Sequence, residues 1–313
     1  MNPGTALNID WIDSIQMNRS AIERRCDTLT KRRSIKKEWQ AAWLLKSIFC
    51  MDLTTLSSDD TTERVKRLCA KARQPLSLEL IDKLGVKKLK PRVAAVCVYH
   101  SYVNTAVNAL KDSGIPVAAV SAGFPHGLNS ISRRIEEIKD SIASGAREID
   151  IVITRANVFS GNWQALYNEI TTFKKACGNV HLKTILGTGE LGTFRNIAKA
   201  SLVCMMGGAD FIKTSTGKEG VNATLPVSLV MIRMIREYFN STGFCVGFKP
   251  AGGISTAKQS LDWLILMNEE LGMNWVQPNL FRFGASGLLN DIERQLEHFV
   301  KGSYSASYRH PVA

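Results

Sequence analysis

Short apolar, β-branched runs alternate along this chain with stretches whose apolar positions recur every three or four residues. Runs of the first kind lie near 48–54, 93–99, 117–122, 148–153, 180–186, 209–214, 244–249 and 280–284. Their length and composition predict strands. The stretches between them read as helices. Ile131, Ile135, Ile138 and Ile142 form a stripe that stops at Gly145, a residue suited to ending a helix. Thr224 ahead of Leu225-Pro226 supplies a helix start and Gly243 its stop, with proline where it costs no hydrogen bond. Leu288, Leu289, Ile292, Leu296 and Phe299 make a last stripe, and 60–72 and 77–84 also read as helices. Residues 1–46 are helical in pattern. Ile35, Trp39, Ala42 and Trp43 predict that this extension docks on the main domain through both tryptophans.

Eight strands separated by helices fit either a (β/α)8 TIM barrel or a doubly wound sheet. The count favours the barrel. So does the placement of Asp52, Asp150, Lys213 and Lys249 on four different strands, because a barrel gathers such residues at the mouth formed by its strand ends. An open sheet would spread them along a crevice. The expected organisation is a helical N-terminal extension at 1–46, an α/β barrel at 47–302, and a mobile tail at 303–313 with no anchoring stripe.

Composition narrows the classes. The chain has 313 residues, 45% hydrophobic and 22% charged, an ordinary globular balance. No apolar run is long enough to span a bilayer, and the first residues lack the basic and apolar regions of a secretory signal. Seven cysteines, at 26, 50, 69, 97, 177, 204 and 245, include no C-x-x-C pair. That pattern fits reduced thiols in the cytoplasm better than a disulfide framework or a zinc site. The net charge of +12 is concentrated in front, where residues 1–92 carry 19 Lys/Arg against 11 Asp/Glu. A basic front suits nucleic acid or a phosphorylated small substrate, but the intermixed acids favour a solvated helical surface.

Two lysines carry the chemistry. Lys213 ends the run Ala209-Asp210-Phe211-Ile212-Lys213, and Lys249 ends Val246-Gly247-Phe248-Lys249. A lysine in an apolar strand is costly unless paired or neutral. Burial and a neighbouring ammonium both favour the free amine, which is the form that attacks a carbonyl. Asp150, alone in the apolar part of its strand, reads either as a salt-bridge partner for a barrel lysine or as a general acid/base. Lys183 is open between an inward and an outward position. Three glycine turns, 215–218, 251–254 and 284–287, could admit phosphate oxygens to backbone amides. One decoy competes. Gly187-Thr188-Gly189-Glu190-Leu191-Gly192 satisfies G-x-G-x-x-G, with Asp210 further on. That is the outline of a dinucleotide site. The acid should end the second strand, however, and Asp210 begins it.

The motifs FIKTSTGK and GFKPAGG, with MDLTTL, EIDIVI and TGEL upstream and FRFGAS downstream, resemble those of deoxyribose-phosphate aldolase in its longer, animal-type form. The matches spread from about residue 35 to residue 300. The resemblance implies a class I aldolase that interconverts 2-deoxy-D-ribose 5-phosphate with acetaldehyde and D-glyceraldehyde 3-phosphate, in deoxynucleotide catabolism. It implies no metal and no other cofactor. Lys213 would carry the imine, Lys249 would be its electrostatic partner and Asp150 would move protons. Asp52 would bind substrate or orient the lysines, with capping a helix or holding a turn an equally good reading. Thr214 would contact substrate, with Gly217, Lys218, Gly252, Gly253, Gly284 and Ser286 around the phosphate. The chain departs from the family pattern at Thr154, at His100, at Gly287 and in its tail, where either Tyr304 or Tyr308 is a candidate to reach the site. Cys97 aligns with a cysteine near the family's site, and a small buried residue explains it equally well. Two other readings remain: a different Schiff-base barrel aldolase, and a non-catalytic barrel that binds RNA through its basic front. Homo-oligomerisation is common in barrels and stays open.

Overall fold

Eight parallel strands are ordered β7-β6-β5-β4-β3-β2-β1-β8 in the computed structural model, which describes residues 1–32 and 34–310. They are β1 Met51–Thr54, β2 Ala95–Tyr99, β3 Val117–Ser121, β4 Glu148–Val152, β5 His181–Ile185, β6 Phe211–Lys213, β7 Gly247–Lys249 and β8 Phe283–Ala285. Isolated bridges Phe248–Phe281 and Ala251–Gly284 join the two ends of the sheet. Phe248 donates its amide to the Leu280 carbonyl at 2.9 Å, and Arg282 donates to Phe248 at 3.0 Å. The result is the expected (β/α)8 barrel. Seven of the runs read as strands contain one, and the eighth, 280–284, overlaps β8, which begins and ends later.

The helices follow their sequence signals. Thr224 accepts from the Val227 amide at the start of Leu225–Thr242, and Gly243 ends it in the left-handed region at φ 75°. Ile131–Ala143 stops just before Gly145, and Leu288–Lys301 buries Leu288, Leu289, Ile292 and Leu296. Within each stripe the outermost residue stays in solvent, Ile131 in the first and Phe299 in the second. The first strand begins later than its apolar run does. Residues 48 and 49 belong to the helix Lys37–Phe49, whose buried Leu44, Leu45 and Ile48 continue the apolar pattern straight into β1.

The front of the chain forms helices Ile9–Ser14, Arg19–Arg32 and Lys37–Phe49. It does not dock through both tryptophans. Trp43 packs against the core, but Trp39 is 73% exposed. Docking falls instead to Ile12, Ile15, Ile22, Cys26 and Leu29, all buried. Part of the positive charge in front is paired with acids elsewhere in the chain, as in Arg25 with Glu269 and Glu270 and Lys71 with Glu293. Residues 303–310 fold back on the last helix, where Tyr304 stacks on His298 and His310 Nε2 lies 2.9 Å from Glu297. Residues 311–313, the end of the expected mobile tail, lie outside the described residues.

The residue that pins the extension is Asn2, buried to 1% exposure. Its amide donates to Asp210 Oδ1 at 2.8 Å, and its side chain donates to the carbonyls of Met205 and Ala209 at 2.7 and 2.9 Å. Tyr238 donates its hydroxyl to Asn2 Oδ1 at 3.2 Å. Asp210 also takes Lys174 and the Leu182 amide, so it is a structural anchor below β6. Replacing Asn2→Ala strips partners from buried carbonyls and a buried hydroxyl. It should lower unfolding free energy in denaturant titration by about 1–3 kcal/mol while leaving KM unchanged.

Candidate active site

Parallel register sets the site. Lys213 on β6 stands opposite Lys249 on β7, and Asp150 on β4 stands opposite Lys183 on β5. Alternate residues of a strand face the same side, which puts Glu148 beneath Asp150 and Phe211 beneath Lys213. Consistent with this, a Cβ added at Gly247 would lie 2.3 Å from the Phe211 ring. Glycine there makes room for the aromatic floor on which the lysines stand.

The interior is a charged cluster closed off from water. Lys213 Nζ lies 2.9 Å from Asp150 Oδ2, and Lys249 Nζ lies 2.8 Å from the same oxygen. Lys249 also reaches Asp52 Oδ2 at 2.6 Å. Lys183, open between two positions in the sequence, points inward. It lies 3.1 Å from both Asp52 Oδ2 and Asp150 Oδ1 and is bonded to Glu148. Arg282 completes the cluster on Asp52 and, at 2.8 Å, on Glu148 Oε1. All of these residues are 5% exposed or less. Asp150 Oδ1, despite its nearness to Lys183, has no partner in hydrogen-bonding geometry.

Burial and charge push the three amines in different directions. Burial lowers the pKa of Lys213, the Asp150 carboxylate opposes that, the Lys249 ammonium adds to it, and the net shift is downward. For Lys249, burial is outweighed by Asp150 and Asp52, and its pKa is raised well above the ordinary lysine value. Lys183 is likewise raised, with Asp150, Asp52 and Glu148 overcoming burial. Asp150 feels burial in the opposite sense, yet Lys183, Lys213 and Lys249 hold it well below the usual carboxylate range. Lys213 alone among the three lysines is driven toward the free amine.

Lys213 is also where the cluster meets open space. A cavity of about 760 Å³ lies above it, lined by Lys213, Gly217, Lys218, Gly252, Gly253, Gly284 and Ser286 together with Thr55, Arg64 and Asn290. Six residues assigned to a phosphate therefore converge on one space. Gly252 and Gly253 take φ near 80°, and a Cβ at Gly253 would meet nothing within 4 Å, so this turn presents bare backbone to the cavity. Gly284 is needed for another reason. Its Cβ would stand 2.8 Å from the Ala251 Cβ and 3.2 Å from Lys249 Cε.

Asp52 and Thr214 do not line this cavity. Asp52 is fully buried under Lys183, Lys249 and Arg282. Thr214 Oγ1 accepts from the Ala251 amide at 3.0 Å and ties β6 to the turn after β7. Cys97 is fully buried and packs with Ala118 and Val120, and burial raises its thiol pKa. Tyr304 is held on the last helix, and Tyr308 is 86% exposed. The G-x-G-x-x-G run uses its amides internally: Gly187 and Thr188 both donate to the Thr214 carbonyl at 3.0 Å. Neither this loop nor Asp210 is available to a dinucleotide. Glu148 and Arg282 were not singled out from the sequence. The spacing of Glu148 two residues before Asp150 signals its place on the same face, whereas Arg282 in FRFGAS carries no such local sign.

Comparison with known proteins agrees with the geometry. The family described as DeoC/LacD family aldolase matches residues 46–272. Deoxyribose-phosphate aldolase of Mus musculus is 56% identical over 99% of this chain and 98% of its own length. The Homo sapiens protein of that name is 55% identical over 100% and 99%. Among solved structures, a putative deoxyribose-phosphate aldolase from Toxoplasma gondii ME49 superposes with a TM-score of 0.72 at 24% identity, covering 83% of this chain and 98% of the other. A deoxyribose phosphate aldolase from Aeropyrum pernix, described as a tetramer, gives a TM-score of 0.59 at 19% identity, covering 90% and 99%. Those two structures bear on the fold. The family profile and the full-length relatives go further: this chain belongs to the DeoC/LacD aldolases, and it is a lyase.

Proposed function

We propose that this protein cleaves 2-deoxy-D-ribose 5-phosphate reversibly to D-glyceraldehyde 3-phosphate and acetaldehyde through an imine on Lys213, as a step in deoxynucleotide breakdown in the cytoplasm. The observation that carries the reading is that one buried lysine both borders the cavity and is driven toward its neutral form. Substrate identity rests on the full-length relatives, whose names specify the deoxyribose phosphate.

In this reading the Lys213 amine adds to C1 of the open-chain sugar, and loss of water gives an iminium. The C3 hydroxyl then yields its proton, the C2–C3 bond breaks, and its electron pair moves into the iminium to form an enamine. Glyceraldehyde 3-phosphate leaves. Protonation of the enamine at C2 and hydrolysis release acetaldehyde and regenerate the amine. Asp150 is a weak base at rest, because three lysines stabilise its charge. It therefore works best as a relay that holds a proton only transiently, Oδ1 having no hydrogen bond in the resting cluster. Lys249 stays protonated and holds both Asp150 and Asp52 in place. The phosphate sits among Gly217, Lys218, Gly252, Gly253, Gly284 and Ser286. The helix beginning at Leu288 directs its N-terminus there, which suits an anion.

Borohydride added with deoxyribose 5-phosphate, in the presence of EDTA, should leave a reduced adduct on the peptide containing Lys213. Absence of the adduct in a folded, substrate-saturated protein would reject the Schiff-base reading, and its persistence in Lys213→Ala would reject the assignment.

Replacing Lys249→Met removes a cation beside Lys213 and exposes Lys213 more fully to the Asp150 carboxylate. Both changes raise the Lys213 pKa, so less free amine exists at neutral pH. The acid limb of the rate profile should move to higher pH.

Lys218→Ala removes an exposed cation from the cavity wall. KM for the phosphorylated sugar should rise about tenfold, the equivalent of one charge-assisted contact. Turnover of unphosphorylated 2-deoxyribose should hardly change. An equal effect on both sugars would place the phosphate elsewhere.

A further inference from the structure

The buried cluster does not balance. Its cations are Lys183, Lys213, Lys249 and Arg282; its anions are Asp52, Glu148 and Asp150. With every group ionised there is one positive charge too many, among side chains that are almost wholly buried. An uncompensated buried charge is among the most costly features a fold can carry. The excess leaves where a proton is held least firmly. Arg282 does not deprotonate in proteins. Lys183 is held by Asp52, Glu148 and Asp150, and Lys249 by Asp52 and Asp150. Lys213 has Asp150 alone, and it shares that oxygen with Lys249.

We propose that Glu148 and Arg282, neither of which borders the cavity, are positioning residues that set the charge on Lys213 by fixing the balance of the whole cluster. Their catalytic relevance rests on the reading of Lys213 as the imine-forming residue; their effect on its proton does not. Glu148 accepts from Lys183 and Arg282, and Arg282 spans from the segment before β8 to Asp52 on β1 and Glu148 on β4. They therefore form the floor on which Lys183 and Asp52 are held, and those two in turn hold Asp150 and Lys249. The groups facing Lys213 from the packed strands are Cys97 on β2, Asp150 on β4 and Lys249 on β7, with Lys183 on β5 behind Asp150 and Asp52 on β1 behind Lys249. Cys97 is a neutral thiol at physiological pH, because burial raises its pKa. It leaves the balance unchanged. Because these side chains are buried, the coupling between their charges is weakly screened.

The two residues bear opposite charges, and so the proposal predicts opposite effects. Glu148→Gln removes an anion, the cluster becomes more positive, and Lys213 loses its proton at lower pH. Arg282→Met removes a cation, the cluster balances with Lys213 protonated, and the proton is lost only at higher pH. Each shift should be about one pH unit or more, as expected for unit charges coupled across a protein interior. The double variant removes one charge of each sign and should return the midpoint to that of the wild type. Arg282→Lys keeps the charge and should leave it in place.

The readout is the pH dependence of reductive ethylation of Lys213 by acetaldehyde and cyanoborohydride, followed by peptide mapping, on variants shown to be folded by circular dichroism. This reports the free amine whether or not the protein turns over a sugar phosphate. Opposite shifts for the two single variants and their cancellation in the double would support the proposal. Shifts in the same direction, or none in a folded variant, would overturn it. Should Arg282→Met not fold, an unmoved Arg282→Lys beside an acid-shifted Glu148→Gln supports the proposal and any other pairing overturns it. Turnover of deoxyribose 5-phosphate measured in parallel keeps the two ideas apart. Midpoints that move as stated in a protein inert to that sugar would refute the substrate assignment and leave the charge balance standing.

Discussion

Everything at the mouth of this barrel depends on one carboxylate oxygen, Asp150 Oδ2, which holds Lys213 and Lys249 at 2.9 and 2.8 Å. Two ammonium groups that close would repel strongly without it, and Asp150 could not be buried as an anion without them. The arrangement is stable only if the load is shared unequally. Lys249 has a second carboxylate in Asp52, so it keeps its proton. Lys213 has none, so it is the member able to become neutral. An amine in a water-poor site beside a permanent cation is the state that carbonyl addition requires, and here it follows from which side chains lie behind which strand.

The barrel architecture makes that asymmetry possible. Side chains from alternate strands stack in layers, so residues far apart in sequence meet at fixed heights. Glu148 and Arg282 occupy the level below, and Phe211 packs among them, with the Arg282 guanidinium 5.7 Å from its ring centre. The glycine turns cap the level above. Small residues permit the vertical packing: Gly247 accommodates Phe211, and Gly284 lets Lys249 pass. The chemistry is therefore spread over β1, β4, β5, β6, β7 and β8, while the helices outside serve to close the hydrophobic core.

Much of this was legible in the sequence, for definable reasons. Short apolar runs between amphipathic helices give strands directly, and Lys213 and Lys249 stand out because charge is rare in such runs. The glycine turns were readable because they follow those same strands. Features set by distant contacts were not readable. The sequence offers no local sign that Trp39 is in solvent while Trp43 is packed, since both sit in the same helical register. Arg282 looks like any basic residue until β8 is closed against β1. The role of Asn2 depends on Asp210, 208 residues away. Asp52, read as binding substrate or orienting the lysines, bonds to Lys183, Lys249 and Arg282, and Thr214, matched as a substrate contact, is bonded within the barrel wall.

The closure between β7 and β8 differs from the other seams. It is made by single bridges, Phe248–Phe281 and Ala251–Gly284, and four backbone bonds cross it: Phe248 N–H to the Leu280 carbonyl at 2.9 Å, Arg282 N–H to Phe248 at 3.0 Å, Gly284 N–H to Pro250 at 2.9 Å and Gly252 N–H to Gly284 at 3.4 Å. Lower down, Arg282 crosses the lumen as a brace from the segment before β8 to β1 and β4. Mechanically, this is a cylinder whose last seam is closed by backbone bonds along its height and by a side-chain brace at its base. Closing the hoop here fixes Lys249 at one height, because its strand is held on both sides, by β6 and by the segment before β8.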